Sequence, residues 1–241
     1  MSTARLNQKQ QIEILKKIVA EKKLAKVDPS VPEKPLVWVD CEMTGLDVFG
    51  SDNIIEICCL ITNENLELVD QVGYESTIYY PQERLDRMND WCIETHGKSG
   101  LTAKILEHPE QTLPKVQEEL LAYIKKYVPN QRTGILAGNS VHMDRFFMMK
   151  EFPEVHEHLH YRNVDVSSIM EFGYRHNPSL MKLCPKKKGA HTARSDILES
   201  IEQLKWYRQY YLKSADESKD TIEELTKQLE AETNSKDPVS N

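Results

Sequence analysis

An apolar segment that runs directly into two acidic residues is the feature that most limits how this chain can fold. Residues 36–39 (LVWV) follow Pro35 and lead into Asp40 and Glu42, before Gly45 closes the stretch. A short run of β-branched and aromatic residues between Pro and Gly predicts a strand buried on both faces. Alternate side chains of a strand share a face, so the two carboxylates should point the same way. Burial and mutual repulsion disfavour such a pair, which indicates that a cation binds there.

The overall composition excludes some classes of protein. A net charge of −7 argues against broad, non-specific coating of nucleic acid, although a short ligand held by metals and a few basic groups remains compatible with it. No apolar run approaches the roughly 18 residues of a membrane span, so no membrane association is expected. The five cysteines form no CxxC pair, which favours free thiols in a reducing compartment over disulfides or a zinc site.

The charge distribution divides the chain into three parts. Residues 1–34 carry eight basic residues against four acidic ones and end in the Pro-rich "DPSVPEKP", which is typical of a basic extension and linker. Residues 35–212 are expected to form the folded domain. Residues 213–241 are strongly charged and poor in apolar residues after Leu229, which predicts a charged tail, partly helical and partly disordered.

The folded domain shows strand patterns first and alternating strand and helix patterns later. Predicted strands after the first are "NIIEICCLIT", "ESTIYY", "GILAG" and the start of "YRNVDVSSIMEFGYRH". Predicted helices are "TLPKVQEELLAYIKKYV", "VHMDRFFMMKEF" with Asn139 or Ser140 as its cap, the remainder of "YRNVDVSSIMEFGYRH", and "HTARSDILESIEQLKWYRQYYL". Strands in hairpin order followed by strand–helix alternation predict an α/β fold, with a mixed sheet flanked by helices.

Three further residues are candidate partners of Asp40 and Glu42. Asp144 lies one turn into the helix after "AGNS", and His191 and Asp196 form H-x-x-x-x-D at the start of the last helix. Each is weak evidence alone, because an Asp at a helix start is usually a cap and a lone His is usually structural. Together, four carboxylates suit two magnesium-like ions about 3.5–4 Å apart, and a histidine beside them suits a general base. The set indicates phosphodiester hydrolysis.

The order of these motifs resembles that of the DEDDh 3′→5′ exonucleases, whose fold is ribonuclease H-like. The flanking segments are similar to the oligoribonuclease family within that group, in its eukaryotic form, over about residues 35–212; they are "VDCEMTGLD", "NDWCIETHGKSGLT", "AGNSVHMDRFFM", "HYRNVDVSSIMEF" and "SDILESI". The resemblance implies a ribonuclease H-like mixed five-stranded sheet flanked by helices. It also implies a 3′→5′ exoribonuclease that hydrolyses very short RNA, especially dinucleotides, to 5′-mononucleotides.

The same resemblance assigns roles to individual residues. Two divalent cations, Mg or Mn, would be held by four carboxylates, with His191 as the general base; the carboxylates are Asp40, Glu42, Asp144 and Asp196. Leu46 would wedge between the two bases of the substrate, Trp91 would stack on a base, and His96 could also touch the substrate. The 5′ phosphate would be bound by hydroxyls and one arginine, namely Ser140, Tyr161, Arg162, Ser167 and Ser168. The family further implies a homodimer in which residues 160–163 complete the neighbouring subunit's site.

Two other functions and the cellular location remain open at this point. A proofreading-type exonuclease for longer single strands or DNA would need a broad basic channel, which the sequence does not offer. A catalytically silent nucleic-acid-binding domain is disfavoured because all five active-site positions are present. The basic start and the eukaryotic resemblance favour mitochondria, with cytoplasm or nucleus as the alternatives.

Overall fold

The fold is a five-stranded mixed sheet with helices on both faces. The computed structural model describes residues 31–185 and 192–235, with side chains up to residue 229. The strands, in chain order, are β1 (Leu36–Met43), β2 (Ile54–Thr62), β3 (Tyr74–Thr77), β4 (Ile135–Gly138) and β5 (Asn163–Asp165), and their order in the sheet is β3-β2-β1-β4-β5. The helices are α1 (Gln82–Leu85), α2 (Asp90–Ser99), α3 (Leu101–Glu107), α4 (Leu113–Tyr127), α5 (His142–Glu151), α6 (Pro153–His158), α7 (Val166–His176), α8 (Pro178–Met181), α9 (Ala193–Trp206) and α10 (Lys219–Ser235), with a π-helical turn over Tyr207–Tyr211 after α9.

The predicted first strand is the centre of the sheet. β1 pairs antiparallel with β2 and parallel with β4, and its residues Val37, Trp38 and Val39 are fully buried, as predicted. Val37 and Val39 face the layer formed by α4, α5 and α6, whereas Trp38 faces the layer formed by α7 and α9. Asp40 and Glu42 share the face of Trp38, because alternate residues of a strand lie on one side. The two carboxylates therefore point toward the start of α9.

The start of α5 differs from the prediction. Neither Asn139 nor Ser140 caps this helix; it begins at His142 after Val141, and its N-terminus has no side-chain capping hydrogen bond. The Asn139 amide instead donates to Ser200 Oγ at 2.7 Å, and Ser140 adopts a left-handed backbone with φ of 52°. The prediction failed because the two polar side chains bind α9 and α7 rather than the free N–H groups of their own helix.

Several predictions concern parts of the chain beyond this description. The basic extension up to residue 30, residues 186–191, which include His191, and the last six residues lie outside the described residues, so the three-part domain division stays a prediction. No helix in the described part is both long and apolar enough to cross a bilayer. All five cysteines are free thiols, four of them buried.

Candidate active site

Three of the four predicted metal ligands meet at one end of the sheet. Asp40 and Glu42 lie at the end of β1, and Asp196 lies in the first turn of α9, which Thr192 caps. One carboxylate oxygen from each residue lies within 4.8 Å of the others. The sheet thus supplies two carboxylates from its central strand, and α9, packed against the same face, supplies the third.

Asp144 stands beside this group, in the first turn of α5. Its carboxylate is buried, and Oδ1 accepts the backbone N–H of Cys41 at 2.9 Å. Cys41 lies between Asp40 and Glu42, so this hydrogen bond fixes α5 against the acidic end of β1. Burial raises the pKa of Asp144 well above its usual value, and the charge of Asp40 raises it further.

The electrostatics of the group favour a cation. Burial, followed by repulsion from Asp40, Glu56 and Asp196, raises the pKa of Glu42 to about 8. Crowded carboxylates hold their protons in this way when no cation neutralises them. Oxygen-only donors are also the ligands that Mg²⁺ and Mn²⁺ prefer, so the residues present fit such ions. His191, the predicted base, lies outside the described residues.

His96 lies behind Glu42 rather than in open solvent. Its side chain is 2% exposed, and Nε2 lies 3.0 Å from the carbonyl oxygen of Met43, to which it must donate because a carbonyl only accepts. Nδ1 lies 4.0 Å from Glu42 Oε2. Burial lowers the pKa of His96. A ring so enclosed contacts a predicted metal ligand, and it has almost no surface for the predicted contact with substrate.

Leu46 and Trp91 are exposed as a wedge and a stacking surface require. Leu46 is 72% exposed and Trp91 is 65% exposed. The loop that carries Leu46 is braced, since Asp52 accepts from Thr44 Oγ1 and Arg84 donates to Thr44 Oγ1, both at 2.9 Å. An exposed leucine on a fixed loop loses little entropy when a ligand covers it, which suits a wedge between bases.

Two of the three serines predicted to bind the 5′ phosphate are joined by a hydrogen bond. They are Ser140, which follows β4, and Ser167, which follows β5. The Ser140 backbone N–H is 3.0 Å from Ser167 Oγ and 3.0 Å from Asp165 Oδ1, which also accepts the N–H of Ser167. Asp165 therefore organises the turn. The exposed Ser168 lines an adjacent hollow of about 610 Å³ together with His142.

Tyr161 and Arg162 form an exposed pair after α6. The Arg162 guanidinium lies 5.5 Å from the centre of the Tyr161 ring, and His160 stacks on that ring at 4.5 Å. Arg145, which is buried, holds the segment by donating to the His160 carbonyl at 2.8 Å and to Asn163 Oδ1 at 2.6 Å. The aromatic and cationic groups are thus presented to solvent on a fixed backbone.

Sequence reasoning missed several residues that build the site. Glu56 lies opposite Glu42 in the sheet, and Lys104 forms a salt bridge with Glu56. Arg145 fixes the segment before β5. Glu151, also buried, accepts the N–H of Ile54 at 3.0 Å. Glu56 gave the clearest signal, because a single acidic residue inside the apolar run "NIIEICCLIT" needs a partner.

The fold, the acidic group and the family that the chain matches define the class of this protein as a 3′→5′ exonuclease of the DEDDh type. A family model described as exonuclease (RNase_T) matches residues 37–204. The structure of Escherichia coli exonuclease I bound to single-stranded DNA is similar with a TM-score of 0.50 at 14% identity, over 73% of this chain and 41% of that chain. At this identity the likeness shows the fold alone, and it confirms the predicted ribonuclease H-like sheet.

Curated relatives identify the family. The mitochondrial oligoribonuclease of Saccharomyces cerevisiae is 59% identical over 191 residues, covering 77% of this chain and 70% of the relative. The human mitochondrial oligoribonuclease is 44% identical over 190 residues, covering 78% of each. The chain belongs to the oligoribonuclease family. The mitochondrial names of these relatives confirm the predicted location.

Proposed function

We propose that this protein is a divalent-metal-dependent 3′→5′ exoribonuclease that hydrolyses very short RNA, dinucleotides above all, to 5′-mononucleotides. The observation that carries the proposal is the meeting of Asp40, Glu42 and Asp196 within 4.8 Å at the end of the central strand. The oligoribonuclease names of the relatives support the substrate class. The exposed Leu46 and Trp91 support a site that grips bases rather than a long phosphate track.

Four carboxylates would hold two divalent ions, Mg²⁺ or Mn²⁺; they are Asp40, Glu42, Asp144 and Asp196. The ions would neutralise charge at the scissile phosphate, which is their usual contribution to phosphodiester hydrolysis. Asp144 is fixed by the Cys41 N–H, so its carboxylate keeps one orientation before any ligand arrives. His191 would accept a proton from the attacking water as general base.

The remaining residues would bind and orient the substrate. Leu46 would separate the two bases and Trp91 would stack on one of them. Serine hydroxyls and Arg162 would hold the 5′ phosphate through charge-assisted hydrogen bonds. In a homodimer, Tyr161 and Arg162 would reach the partner's site, and their exposure on a braced segment supports this arrangement. Such a closed site would fit about two nucleotides.

A length comparison tests the proposal. Purified protein is incubated with Mn²⁺ and either a 5′-phosphorylated adenine dinucleotide with a 3′–5′ linkage or a 5′-phosphorylated 30-nucleotide RNA, and the release of 5′-mononucleotide is followed by chromatography. We expect the dinucleotide to be hydrolysed much faster. Preference for the 30-mer would indicate a proofreading-type exonuclease instead, and no hydrolysis of either would indicate a catalytically silent domain.

A further inference from the structure

Four carboxylates occupy one face of the sheet across three strands. The register places Glu42 of β1 opposite Glu56 of β2, and Cys58 of β2 opposite both Asp40 of β1 and Glu75 of β3. Directly paired residues of antiparallel strands share a face, and so do alternate residues along one strand. Asp40, Glu42, Glu56 and Glu75 therefore lie side by side, although only the first two belong to the predicted metal group.

Glu56 creates a problem for the site. It is 7% exposed and stands opposite Glu42, where paired Cβ atoms typically lie about 4.5–5.5 Å apart. Its charge is one of the causes that raise the pKa of Glu42. A carboxylate at that distance is also a competing ligand for a divalent ion. The site therefore needs a cationic group that binds the Glu56 carboxylate and leaves the Glu42 carboxylate available to the metal ions.

Lys104 of α3 meets this need. Its Nζ lies 2.8 Å from Glu56 Oε1 and 3.0 Å from Glu75 Oε1. Burial lowers the pKa of Lys104, but the hydrogen bonds that its ammonium donates to the two carboxylates, together with their negative charges, outweigh burial and leave the pKa raised. Neighbouring residues anchor the helix, since Leu101 and Ile105 are buried against Ile55 of β2. The ammonium is therefore held at the Glu56 end of the acidic row.

We infer that Lys104 is a positioning residue for the reaction: it binds Glu56 and Glu75, and so confines divalent ions to the four proposed ligands Asp40, Glu42, Asp144 and Asp196. The Lys104 ammonium would neutralise Glu56 and Glu75 in the way that the divalent ions would neutralise Asp40 and Glu42. This inference rests on the proposed function. It assigns Lys104 a role through Glu56, since Lys104 is not placed among the groups that touch the substrate.

The test replaces the ammonium with an apolar side chain of similar length, Lys104→Met. Without its partner, Glu56 becomes available beside Glu42, so we expect Mn²⁺ to bind about tenfold more tightly in calorimetric titration of the metal-free protein. The ion is then displaced from its productive place, and kcat for a dinucleotide falls by about 10²-fold while KM stays within about twofold. Tighter metal binding with slower turnover is a combination that a purely structural role for Lys104 would not produce.

A second substitution keeps the test decisive if Lys104→Met weakens folding. Lys104→Met/Glu56→Gln removes both charges, and we expect its Mn²⁺ affinity and kcat to return to within about threefold of wild type. Lys98→Met, a change of an exposed lysine on the neighbouring α2 that pairs with Glu94, is the control and should alter neither quantity. Wild-type hydrolysis, measured first, separates failure of the proposed function from failure of this inference. The inference is overturned if Lys104→Met leaves Mn²⁺ affinity and kcat unchanged, or if the double variant stays slow.

Discussion

The backbone N–H of Cys41 donates to Asp144 Oδ1 at 2.9 Å, joining residues 103 positions apart in the chain. This N–H belongs to the residue between Asp40 and Glu42, so the bond ties the acidic end of β1 to the first turn of α5. A buried carboxylate needs such a partner, because an unsatisfied one costs several kcal/mol. The bond also orients Asp144 before a cation arrives, which is how preorganised sites avoid a reorganisation cost.

Asp40→Asn should remove divalent-ion binding and activity together. The substitution deletes a charge from the group that would hold the ions, so calorimetry should show Mn²⁺ affinity reduced by more than tenfold, with hydrolysis of a dinucleotide lost. In the presence of a metal chelator, the Tm of this variant should be about 2–4 °C above that of wild type if relief of repulsion with Glu42 contributes about 1 kcal/mol. The exposed Asp86→Asn is the matched control. Unchanged Mn²⁺ titration would show that Asp40 is not a ligand.

Stability of the metal-free protein should fall as pH rises from about 4.5 to about 8. Within that range folded Glu42, whose pKa is about 8, keeps its proton, whereas Glu42 of the unfolded chain, near 4.5, has lost it. The unfolded state then binds fewer protons, so the free energy of unfolding decreases with rising pH. Urea unfolding in chelator at several pH values would measure the slope, which Glu42→Gln should flatten. Parallel curves for the two proteins would contradict the raised pKa.

The sequence predicted the acidic end of β1 because a strand fixes which side chains share a face. It also predicted that Asp196 lies beside Asp40 and Glu42, since an H-x-x-x-x-D motif opens a helix after the last strand. It could not predict that Glu56 stands opposite Glu42, because strand register depends on the hairpin between them. Likewise, Asn139 has the composition of a helix cap, but a long-range bond to Ser200 uses its side chain. Contacts between distant segments account for what the sequence missed.

His191→Ala should keep metal binding and lose most turnover. The resemblance assigns this residue as general base rather than ligand, so Mn²⁺ titration should match wild type within about twofold. Removal of a general base typically slows a reaction by about 10²–10⁴-fold, and kcat should fall in that range. His108→Ala, a change of an exposed histidine that directly follows α3 and pairs with Glu110, serves as control. Near-normal hydrolysis of a dinucleotide by His191→Ala would remove this residue from the mechanism.

Trp91→Ala should weaken substrate binding more than it slows chemistry. Stacking of a base on an aromatic ring contributes about 1–3 kcal/mol, so KM for a dinucleotide should rise about fivefold to 150-fold. Trp91→Phe keeps a π-face and should recover most of that loss. Ile93→Ala, which removes another exposed apolar side chain from α2, should have little effect. Equal KM values for the Ala and Phe variants would argue against stacking.

Arg162→Ala should impair dinucleotide cleavage far more than cleavage of a 7-nucleotide RNA. A hydrogen bond to a charged group contributes about 1.5–3 kcal/mol, so kcat/KM for the dinucleotide should fall about tenfold to 150-fold. The longer RNA has further phosphates that can make other contacts, and its loss should be smaller. Arg87→Ala, on the exposed segment before α2, is the control for a change in net charge. An equal loss for both lengths would separate Arg162 from the 5′ phosphate.

If each site of the proposed homodimer is shared between two subunits, mixing two variants that are impaired in different parts of the site should restore activity. An Asp40→Asn subunit lacks a metal ligand but supplies an intact Arg162, and an Arg162→Ala subunit does the reverse. A C2 dimer of one of each therefore contains one site with both parts intact and one with neither. After subunit exchange at equal amounts, half of the dimers are mixed, so about a quarter of the wild-type activity should return. Exchange is verified by mass spectrometry of differently tagged subunits, and the oligomeric state by sedimentation. A fully active monomer, or no recovery after verified exchange, would show that each site is complete within one chain.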